Sequence, residues 1–569
     1  MAKSTSRDFK EVIWKISDSI RGAAPVSGDD AVLLAYCAYL ASEANSASSL
    51  SAVLSRCPDK RIASLLKRKY EGNGSAESAI EKMARSFTKE DLAQYIIDGV
   101  SHGKYRDMFA TPAGLCNLAI RILDIKEGDS VADICCGYGN FIVQSAELHP
   151  EASYFGIDIS EEAACVAQIR CEILGAKHEI VVEDAFNVDT SRRFDKIFGN
   201  FPFGMRTAML VGSNRYHDLV RSGKEGVGSA RSADWLFNKL THDLLADNGR
   251  AVTITANGAA VNGLDAAARR TFIEGGMICA VVALPESLFS YTNIPTVLFV
   301  LGRNEGAIRM VDASAMCASG RRGSAIDDES LEMILEAMRA DSPFSRLVDR
   351  ADIERADWSL SPARYLGREI KLVNATPLSK LVESIDRGAV GLNRHALDEL
   401  ATDENTNIRY VQVADVKDGC IVDDLMRLGS LDEPLRHHAL KDGDVLVSRA
   451  GSPFKVAVAE IVDEVTVVPA GNFFVLRLDQ SKIDPYFLAA FLSSDDGQET
   501  LERIAGGTTF PTISQRNLEK MKVPVPSPDM QALIAAKFRA AIDQVAALRI
   551  ALDRATVAIR EVYDGGEVV

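Results

Sequence analysis

Residues 195–204 read Asp-Lys-Ile-Phe-Gly-Asn-Phe-Pro-Phe-Gly, and this stretch decides how the rest of the chain is interpreted. An apolar run leaves an acidic residue and stops at a turn made of an amide, two aromatic rings and a proline. A strand that ends in such a turn projects the Asn200 amide, a free backbone carbonyl and an aromatic ring toward a cleft. Together these groups suit a planar base that carries an exocyclic amine.

The stretch belongs to a series of seven apolar runs that have the length and composition of strands. They cover residues 130–135, 153–159, 179–183, 196–200, 251–256, 279–284 and 296–301. Stretches with helical spacing lie between most of them, for example at 161–174 and 233–245. The alternation predicts a multidomain α/β protein whose central domain is a doubly wound, Rossmann-like parallel sheet. Its ligand is expected at the carboxyl ends of the strands.

Three of these predicted strands end in, or are followed by, an aspartate: Asp133, Asp158 and Asp184. The first is followed by Gly137-Tyr138-Gly139, where the glycines allow the backbone to approach a ligand closely. Alone, a Gly-x-Gly turn is a weak indicator, and Asp158 is equally suited to cap the next helix. Three such acids in succession, followed by the Asn200 turn, form a much more specific joint pattern.

A further motif lies upstream, where Phe109-Ala110-Thr111-Pro112 precedes a predicted helix that starts near residue 113. In isolation, Thr111 is suited to cap that helix and Pro112 to occupy its first turn. Taken in chain order with residues 133–141 and 200–203, the motif resembles those of amino-group DNA methyltransferases that use S-adenosylmethionine. The closer resemblance, over residues 1–366, is to the methylation subunit of type I restriction-modification systems, N6-adenine class; stretches 233–237, 284–289 and 360–365 support it.

The resemblance implies a role for each motif residue. It assigns S-adenosylmethionine binding to Phe109, Thr111, Pro112, Asp133, Gly137 and Gly139 at the methionine end, Asp158 at the ribose and Asp184 at the adenine. It assigns catalysis to Asn200, Phe201, Pro202 and Phe203. In that set, Asn200 and the Phe201 carbonyl would bind the target amine, Pro202 would restrain the turn and Phe203 would stack on the base. The resemblance implies no metal.

The chain departs from the family pattern in two motifs. Asn-Phe-Pro-Phe at residues 200–203 replaces Asn-Pro-Pro-aromatic, and Ile-Cys-Cys-Gly-Tyr-Gly at 134–139 replaces Pro-Ala-Cys-Gly-Ser-Gly. Phe201 still provides a carbonyl, but without the first proline we expect a less rigid turn. An alternative therefore stays open, in which the chain is a catalytically weak or inactive DNA-binding subunit of a defence complex.

Composition limits the remaining functions. With 47% hydrophobic and 25% charged residues, the chain of 569 residues is typical of a globular, core-forming protein. Its ten cysteines lack the paired spacing of zinc sites, which favours a reducing compartment. A polar N-terminus and the lack of a long apolar run predict a soluble, cytoplasmic protein without a membrane segment. Since the net charge is −16, DNA binding must depend on local basic patches.

The regions on either side of the predicted sheet indicate further domains. Residues 1–98 predict a helical N-terminal domain, followed by the methyltransferase domain at 99–366. Residues 367–526 change to short strands and turns and resemble one α/β target-recognition domain of a type I specificity subunit. Residues 527–569 predict a long spacer or dimerisation helix with an apolar stripe of Ile534, Phe538, Val545, Leu548, Leu552 and Ile559. The alternative is that this stripe packs inside its own domain.

Two sets of basic residues are candidates for DNA contacts. Residues 205–231 predict either a loop that orders on DNA or a solvated insertion, with cations at Arg206, Arg215, Arg221, Lys224 and Arg231. The C-terminal candidates, each better suited to a phosphate than to a base, are Arg394, Arg409, Arg436, Arg449, Lys455 and Arg516.

The sequence as a whole predicts a site-specific DNA adenine-N6 methyltransferase. It would transfer a methyl group from S-adenosylmethionine to a flipped-out adenine, within a restriction-modification or related defence system. The expected partners are double-stranded DNA, a second copy of the chain joined through the C-terminal helix, and a separate restriction subunit if DNA is also cleaved or translocated.

Overall fold

The computed structural model describes residues 15–16, 28–42, 50–98, 111–207, 215–221, 226–289, 294–314, 316–320, 323–366, 372–392, 394–422, 424–461, 465–505 and 512–561. These residues form two compact units, Met1–Leu366 and Gly367–Val569. The four domain boundaries expected from the sequence stay a prediction. In the described part of the chain, no helix is both long and apolar enough to cross a membrane.

The first unit begins with a layer of helices. Their bounds are α1 Gly28–Ser42, α2 Leu50–Leu54, α3 Lys60–Tyr70, α4 Gly74–Ser86 and α5 Lys89–Asp98. Side-chain capping fixes where α3 begins, because the Asp59 carboxylate accepts from the backbone N–H groups of Arg61 and Ile62. The buried apolar residues of this layer also contact Val166 and its neighbours on a later helix, so the layer shares a core with the domain that follows.

A nine-stranded sheet forms the centre of the first unit. In chain order its strands are β1 Ser130–Ile134, β2 Ser153–Asp158, β3 Lys177–Val182, β4 Phe194–Asn200, β5 Leu245–Ala256, β6 Ile278–Ala283, β7 Thr296–Leu301, β8 Ile308–Asp312 and β11 Ser345–Val348. Two further strands, β9 Ala318–Gly320 and β10 Gly323–Ala325, form a separate hairpin. The spatial order of the nine strands is β11-β8-β6-β7-β5-β4-β1-β2-β3. The neighbours from β3 to β5 in this order are all parallel.

Helices cover both faces of this sheet. They are α6 Ala113–Leu123, α7 Asn140–Leu148, α8 Glu161–Leu174, α9 Arg215–Arg221, α10 Asp234–Asp243, α11 Gly258–Val261, α12 Ala266–Glu274, α13 Asp328–Arg339 and α14 Arg350–Arg355. One core lies between the sheet and the face with α6, α7 and α13, and a second lies on the face with α10 and α12.

The predicted fold class is confirmed, with one correction to the sheet. All seven predicted strands are present, but β7 runs antiparallel to both β5 and β6. The described residues of the connection between β6 and β7, 284–289 and 294–295, form no crossover helix of the kind that a parallel pair of strands requires. Two strands that the sequence did not reveal, β8 and β11, extend the sheet beyond β6.

The strand order places the carboxyl ends of four strands at one edge. The chain leaves β3 and returns to β4 on the other side of β1, which makes the position beside β1 a topological switch point. In register, Ile134 at the end of β1 lies beside Ile157 of β2 and Gly199 of β4, and Asp158 lies beside Val182 of β3. The predicted motifs at these strand ends therefore come together.

The second unit contains a four-stranded sheet with the order β13-β21-β18-β19, a three-stranded sheet and short strand pairs. Its strands are β12 Thr376–Pro377, β13 Val382–Arg387, β14 Ile408–Val411, β15 Val416–Lys417, β16 Cys420–Ile421, β17 Met426–Arg427, β18 Val445–Ser448, β19 Val456–Val458, β20 Thr466–Pro469, β21 Phe473–Leu478 and β22 Lys522–Val523. Alternate residues of β18 and β21 enter two different cores, as the two-residue period of a strand requires.

The helices of the second unit end in one long helix. They are α15 Arg394–Leu400, α16 Glu433–Arg436, α17 Pro485–Ser493, α18 Asp495–Ile504, α19 Gln515–Lys520 and α20 Pro528–Glu561. The first part of α20 packs against the unit through Ile534 and Phe538. Further along, Leu548, Leu552 and Ile559 are 63%, 66% and 74% exposed. Packing of the stripe within its own domain is thus correct for the first part of the helix and wrong for the rest.

Candidate active site

A cleft of about 900 Å³ opens where β1, β2, β3 and β4 end. Most of the residues predicted from sequence line it: Thr111, Asp133, Gly137, Asp158, Asp184, Asn200, Phe201, Pro202 and Phe203. Pro112 and Gly139 are not part of the lining. Phe109 lies outside the described residues.

Asn200, the last residue of β4, has one half of its amide bonded and the other half free for a ligand. Its Nδ2 donates to the hydroxyl oxygen of Thr111 (3.0 Å). Its Oδ1 is buried, and within the described residues it has no hydrogen-bond partner. Because the Thr111 bond fixes which way the amide faces, the site presents an oxygen acceptor.

The bond to Asn200 also changes how the Thr111-Pro112 motif is understood. The residue that caps α6 is Pro112, and the helix start has no side-chain cap. The interpretation of Thr111 as an N-cap and Pro112 as a first-turn residue is therefore wrong. Thr111 faces the cleft because its hydroxyl bonds the amide at the end of β4, an interaction between residues 89 positions apart that local sequence does not reveal.

Phe201, the residue that stands where the family has a proline, turns its ring into the core. The ring is buried and stacks on Phe237, with centroids 4.7 Å apart and an angle of 13° between planes. Gly199 makes room for it, since a Cβ at that position would lie 2.5 Å from the Phe201 ring. Packing of the ring against Phe237 and Gly199 thus restrains the turn on the side of the core, while Pro202 is exposed.

Phe203 lies on the rim of the cleft. It is half-buried and meets Phe289 edge-to-face, with ring centroids 5.1 Å apart and planes at 77°. This contact holds the Phe203 ring beside the residues that line the cleft.

Asp133 brings a second unsatisfied acceptor into the cleft. Its side chain is 2% exposed, and Oδ1 has no hydrogen-bond partner among the described residues. Burial, helped by the negative charge of Asp158, raises the pKa of Asp133 well above its usual value. A buried carboxyl of this kind is stabilised by a cationic ligand, so the site fits the ammonium group of an amino-acid moiety.

The turn after β1 is held by the strand next to it. Asp158 Oδ2 accepts from the Gly137 backbone N–H (2.8 Å), and its Oδ1 accepts from the Ser160 N–H (2.9 Å). The cap of α8 is Ser160, so the interpretation of Asp158 as the helix N-cap is wrong. Gly139, with φ of +74°, packs against α8, where a Cβ would lie 3.0 Å from Ala167. Gly139 therefore shapes the turn from behind the cleft.

Asp184 lies at the other end of the cleft, after β3. Its Oδ1 accepts from the Phe186 backbone N–H (3.0 Å), which caps a short 3-10 turn at 185–187. Asp184, Ala185 and Phe186 all line the cleft, so an acceptor and an aromatic ring lie side by side as the sequence predicted.

Arg170 is a buried arginine that the sequence analysis missed. Its Nη1 donates to the Tyr138 carbonyl (2.6 Å) and to Asn140 Oδ1 (2.7 Å), while Nη2 donates to the Ile97 carbonyl (2.6 Å). Burial lowers its pKa to about 10. Asn140 Nδ2 in turn reaches the Thr111 carbonyl (3.3 Å). One guanidinium group thus ties the glycine turn to α5 and, through Asn140, to the segment that holds the Asn200 amide.

The segment 205–231 contains a helix. Arg215–Arg221 form α9, and the buried Tyr216 packs 5.5 Å from Phe186 and donates to Asp243 (3.1 Å). The interpretation as a solvated insertion is therefore wrong for this part, because an aromatic residue anchors the helix to the core, and ordering on DNA stays a prediction. Lys224 lies outside the described residues.

Both regions of the chain match known families. Residues 91–371 match the family described as N-6 DNA Methylase, and residues 436–550 match the family described as Type I restriction modification DNA specificity domain. In fold, the chain is similar to a type I restriction-modification methyltransferase subunit from Streptococcus thermophilus. That likeness has a TM-score of 0.51 at 17% identity and covers 64% of this chain and 100% of that subunit.

Curated relatives belong to the same group. The chain is 25% identical over 301 residues to the Type I restriction enzyme MjaIX methylase subunit of Methanocaldococcus jannaschii, a match over 47% of this chain and 53% of that protein. It is 22% identical over 345 residues to the MpnII methylase subunit of Mycoplasma pneumoniae, over 55% and 61% of the two chains. The matches span little more than half the length of these relatives. Residues 91–371 are therefore similar to an N-6 DNA methylase, and residues 436–550 are similar to a type I restriction-modification DNA specificity domain.

Proposed function

We propose that the chain transfers a methyl group from S-adenosylmethionine to N6 of an adenine flipped out of duplex DNA. The observation that carries the proposal is the buried Oδ1 of Asn200, an acceptor without a partner among the described residues, next to the Phe201 backbone in the cleft. An exocyclic amine has two N–H bonds, and the amide oxygen together with the Phe201 carbonyl would accept both.

The two acceptors account for the chemistry. The amine is a poor nucleophile because its lone pair is delocalised into the ring, and positive charge develops on the nitrogen as it attacks. Oxygen acceptors held in a desolvated cleft stabilise that charge. Phe203, which lines the cleft, would stack on the extruded base and offset part of the cost of unstacking it.

The donor-binding residues fit S-adenosylmethionine, which would supply a methyl group activated by a sulfonium. The unsatisfied carboxyl of Asp133 would accept from the ammonium group, and Asp184 would accept from the adenine amino group. Asp158 already accepts two backbone N–H groups. Since each carboxylate oxygen has two lone pairs, it keeps the capacity to bind the ribose hydroxyls as well.

The decisive experiment follows labelled methyl groups from S-adenosylmethionine into mixed-sequence duplex DNA. Asn200→Ala should abolish incorporation while calorimetric binding of S-adenosylmethionine stays largely intact, because the donor contacts lie on other strands. Digestion of the product should give N6-methyl-2′-deoxyadenosine, and N4-methyl-2′-deoxycytidine would refute the adenine assignment. DNA and donor binding without incorporation would favour the alternative, an inactive DNA-binding subunit of a defence complex.

We further propose that the second unit delivers this site to duplex DNA and that α20 pairs with its counterpart in a second copy. The support is the apolar surface of Leu548, Leu552 and Ile559, which lies on one side of the helix and is largely exposed. A chain with a single specificity domain would in this way read a two-part site. Cleavage or translocation of DNA is assigned to a separate restriction subunit.

A further inference from the structure

Two arginines of the second unit lie at the same end of its four-stranded sheet. Arg387 is the last residue of β13 and Arg449 directly follows β18, and these two strands flank β21. Both strands run antiparallel to β21, with Arg387 opposite Phe474 and Ser448 opposite Phe473. The end of each flanking strand therefore meets the beginning of β21 from either side.

Side-chain contacts hold each of the two cations near the beginning of β21. Arg387 Nη2 donates to the Gly471 carbonyl (2.9 Å), and the Arg449 guanidinium carbon lies 5.9 Å from the centre of the Phe474 ring. The Arg449 backbone N–H also donates to the Asn472 carbonyl (2.7 Å). Burial and the positive charge of Arg387 lower the pKa of Arg449, so the two groups share one partly desolvated environment.

In the described part of the chain, this pair of charges has no acidic partner. Within the ranges that the structure describes, neither arginine forms an ion pair, and the buried Nε of Arg387 has no hydrogen-bond partner. Elsewhere in the unit, Arg477 is neutralised by the buried Asp444 (2.9 Å). Two half-buried like charges disfavour each other, and an anion between them would remove that repulsion and satisfy the unpaired donor.

We propose that Arg387 and Arg449 together bind one backbone phosphate of the DNA. The inference rests on the proposed function, because it requires that the second unit binds duplex DNA. A phosphate suits the geometry, since two forked guanidinium groups that approach from flanking strands can share its oxygens. Such a contact fixes the position of the duplex without reading a base.

Fluorescence anisotropy of the full chain with a labelled mixed-sequence duplex, repeated over a range of salt concentrations, tests the proposal. The Arg387→Gln/Arg449→Gln double variant should bind about tenfold more weakly. The slope of log K against log salt should become shallower by about 0.9, the value for one lost phosphate contact. Arg427→Gln is the matched control, because Arg427 is an exposed arginine of the same unit, and it should keep the wild-type slope.

Thermal unfolding separates binding from folding. The double variant loses the repulsion between the two charges together with the Arg387 bond to the Gly471 carbonyl, so its Tm should change little. Inorganic phosphate should raise the Tm of the wild type but not of the variant. An equal rise in Tm with phosphate in the variant, or an equal loss of slope in Arg427→Gln, would overturn the proposal.

The binding data also distinguish this proposal from the proposed function. Wild-type affinity and slope in the double variant would overturn the phosphate site and leave DNA methylation standing. A wild-type chain that binds no duplex would overturn the proposed function itself. If the double variant binds only one particular DNA sequence more weakly, the two arginines read a base and the phosphate assignment is wrong.

Discussion

Asp133→Asn should weaken S-adenosylmethionine binding and, in the absence of the donor, stabilise the protein. The wild-type side chain is 2% exposed and one carboxyl oxygen has no partner among the described residues. The donor-free protein is therefore destabilised by a buried carboxyl, and only a cationic ligand offsets this destabilisation. An asparagine has nearly the same shape, so the substitution changes the charge and leaves the packing of β1 in place.

The expected magnitudes follow from that environment. Loss of a charge-assisted hydrogen bond to the ammonium group costs about 1.5–3 kcal/mol, which corresponds to about 10- to 150-fold weaker binding. Removal of an unsatisfied buried carboxyl should raise the free energy of unfolding of the donor-free protein by about 1 kcal/mol near neutral pH. The two effects have opposite signs, and general damage to the fold cannot produce that combination.

The pH dependence gives a further check. Because the folded pKa of Asp133 is raised, the folded protein keeps this proton at pH values where the unfolded chain, with a pKa near 3.8, has lost it. The contribution of Asp133 to stability is therefore greatest below that value and falls as the pH rises toward the folded pKa. The stability gain of Asp133→Asn should accordingly be absent in acid and grow with pH.

Calorimetric titration with S-adenosylmethionine and thermal unfolding between about pH 5 and pH 8 measure these quantities. Asp158→Asn serves as a contrast, because its carboxylate holds the Gly137 and Ser160 N–H groups and its loss should lower stability. The reasoning is refuted if Asp133→Asn binds the donor as tightly as the wild type, or if the donor-free variant unfolds more easily.

Three further predictions concern other parts of the molecule. Phe201→Pro restores the family proline but empties the space beside Phe237, so we expect a loss of about 3 kcal/mol or more in urea unfolding; higher stability would contradict the packing argument. Arg170→Met leaves buried carbonyls without a hydrogen-bond donor and should lower the free energy of unfolding by at least about 3 kcal/mol. It should also weaken the binding of S-adenosylmethionine, and an unchanged Kd for that ligand would contradict the prediction. Leu552→Glu should convert a dimer to a monomer in sedimentation, with a change in monomer stability within about 0.5 kcal/mol. Ile550→Glu, on the opposite side of the helix and 47% exposed, is its control, and equal dissociation by both variants would argue against a helix interface.

The strands and most of the cleft could be predicted because their signals are local. An apolar run that stops at a polar residue marks a buried strand with a polar end, and Ser153–Asp158 and Phe194–Asn200 form where that pattern places them. Parallel pairing then brings the ends together without further information. The antiparallel direction of β7 was missed because periodicity describes a strand and not its partner.

Other features depend on contacts between distant residues. Arg170 lies in a helix among alternating polar and apolar residues, where an arginine ordinarily faces water; its burial depends on the helical layer that covers α8. Thr111 has the local pattern of a helix cap, yet its hydroxyl bonds Asn200. The stripe on α20 has one periodicity throughout, although only its first part meets a core.

The guanidinium of Arg170 has a consequence for whatever contacts the N-terminal helices. It bonds at once to the last turn of α5 and to the glycine turn of the donor cleft, so the two cannot shift independently. Thermodynamic linkage makes such a connection reciprocal. A protein or nucleic acid that favours one position of α5 should therefore change the affinity for the proposed donor by the same factor by which the donor changes its own binding. Through this bond, the helical layer would sense the occupancy of the proposed donor site at a distance.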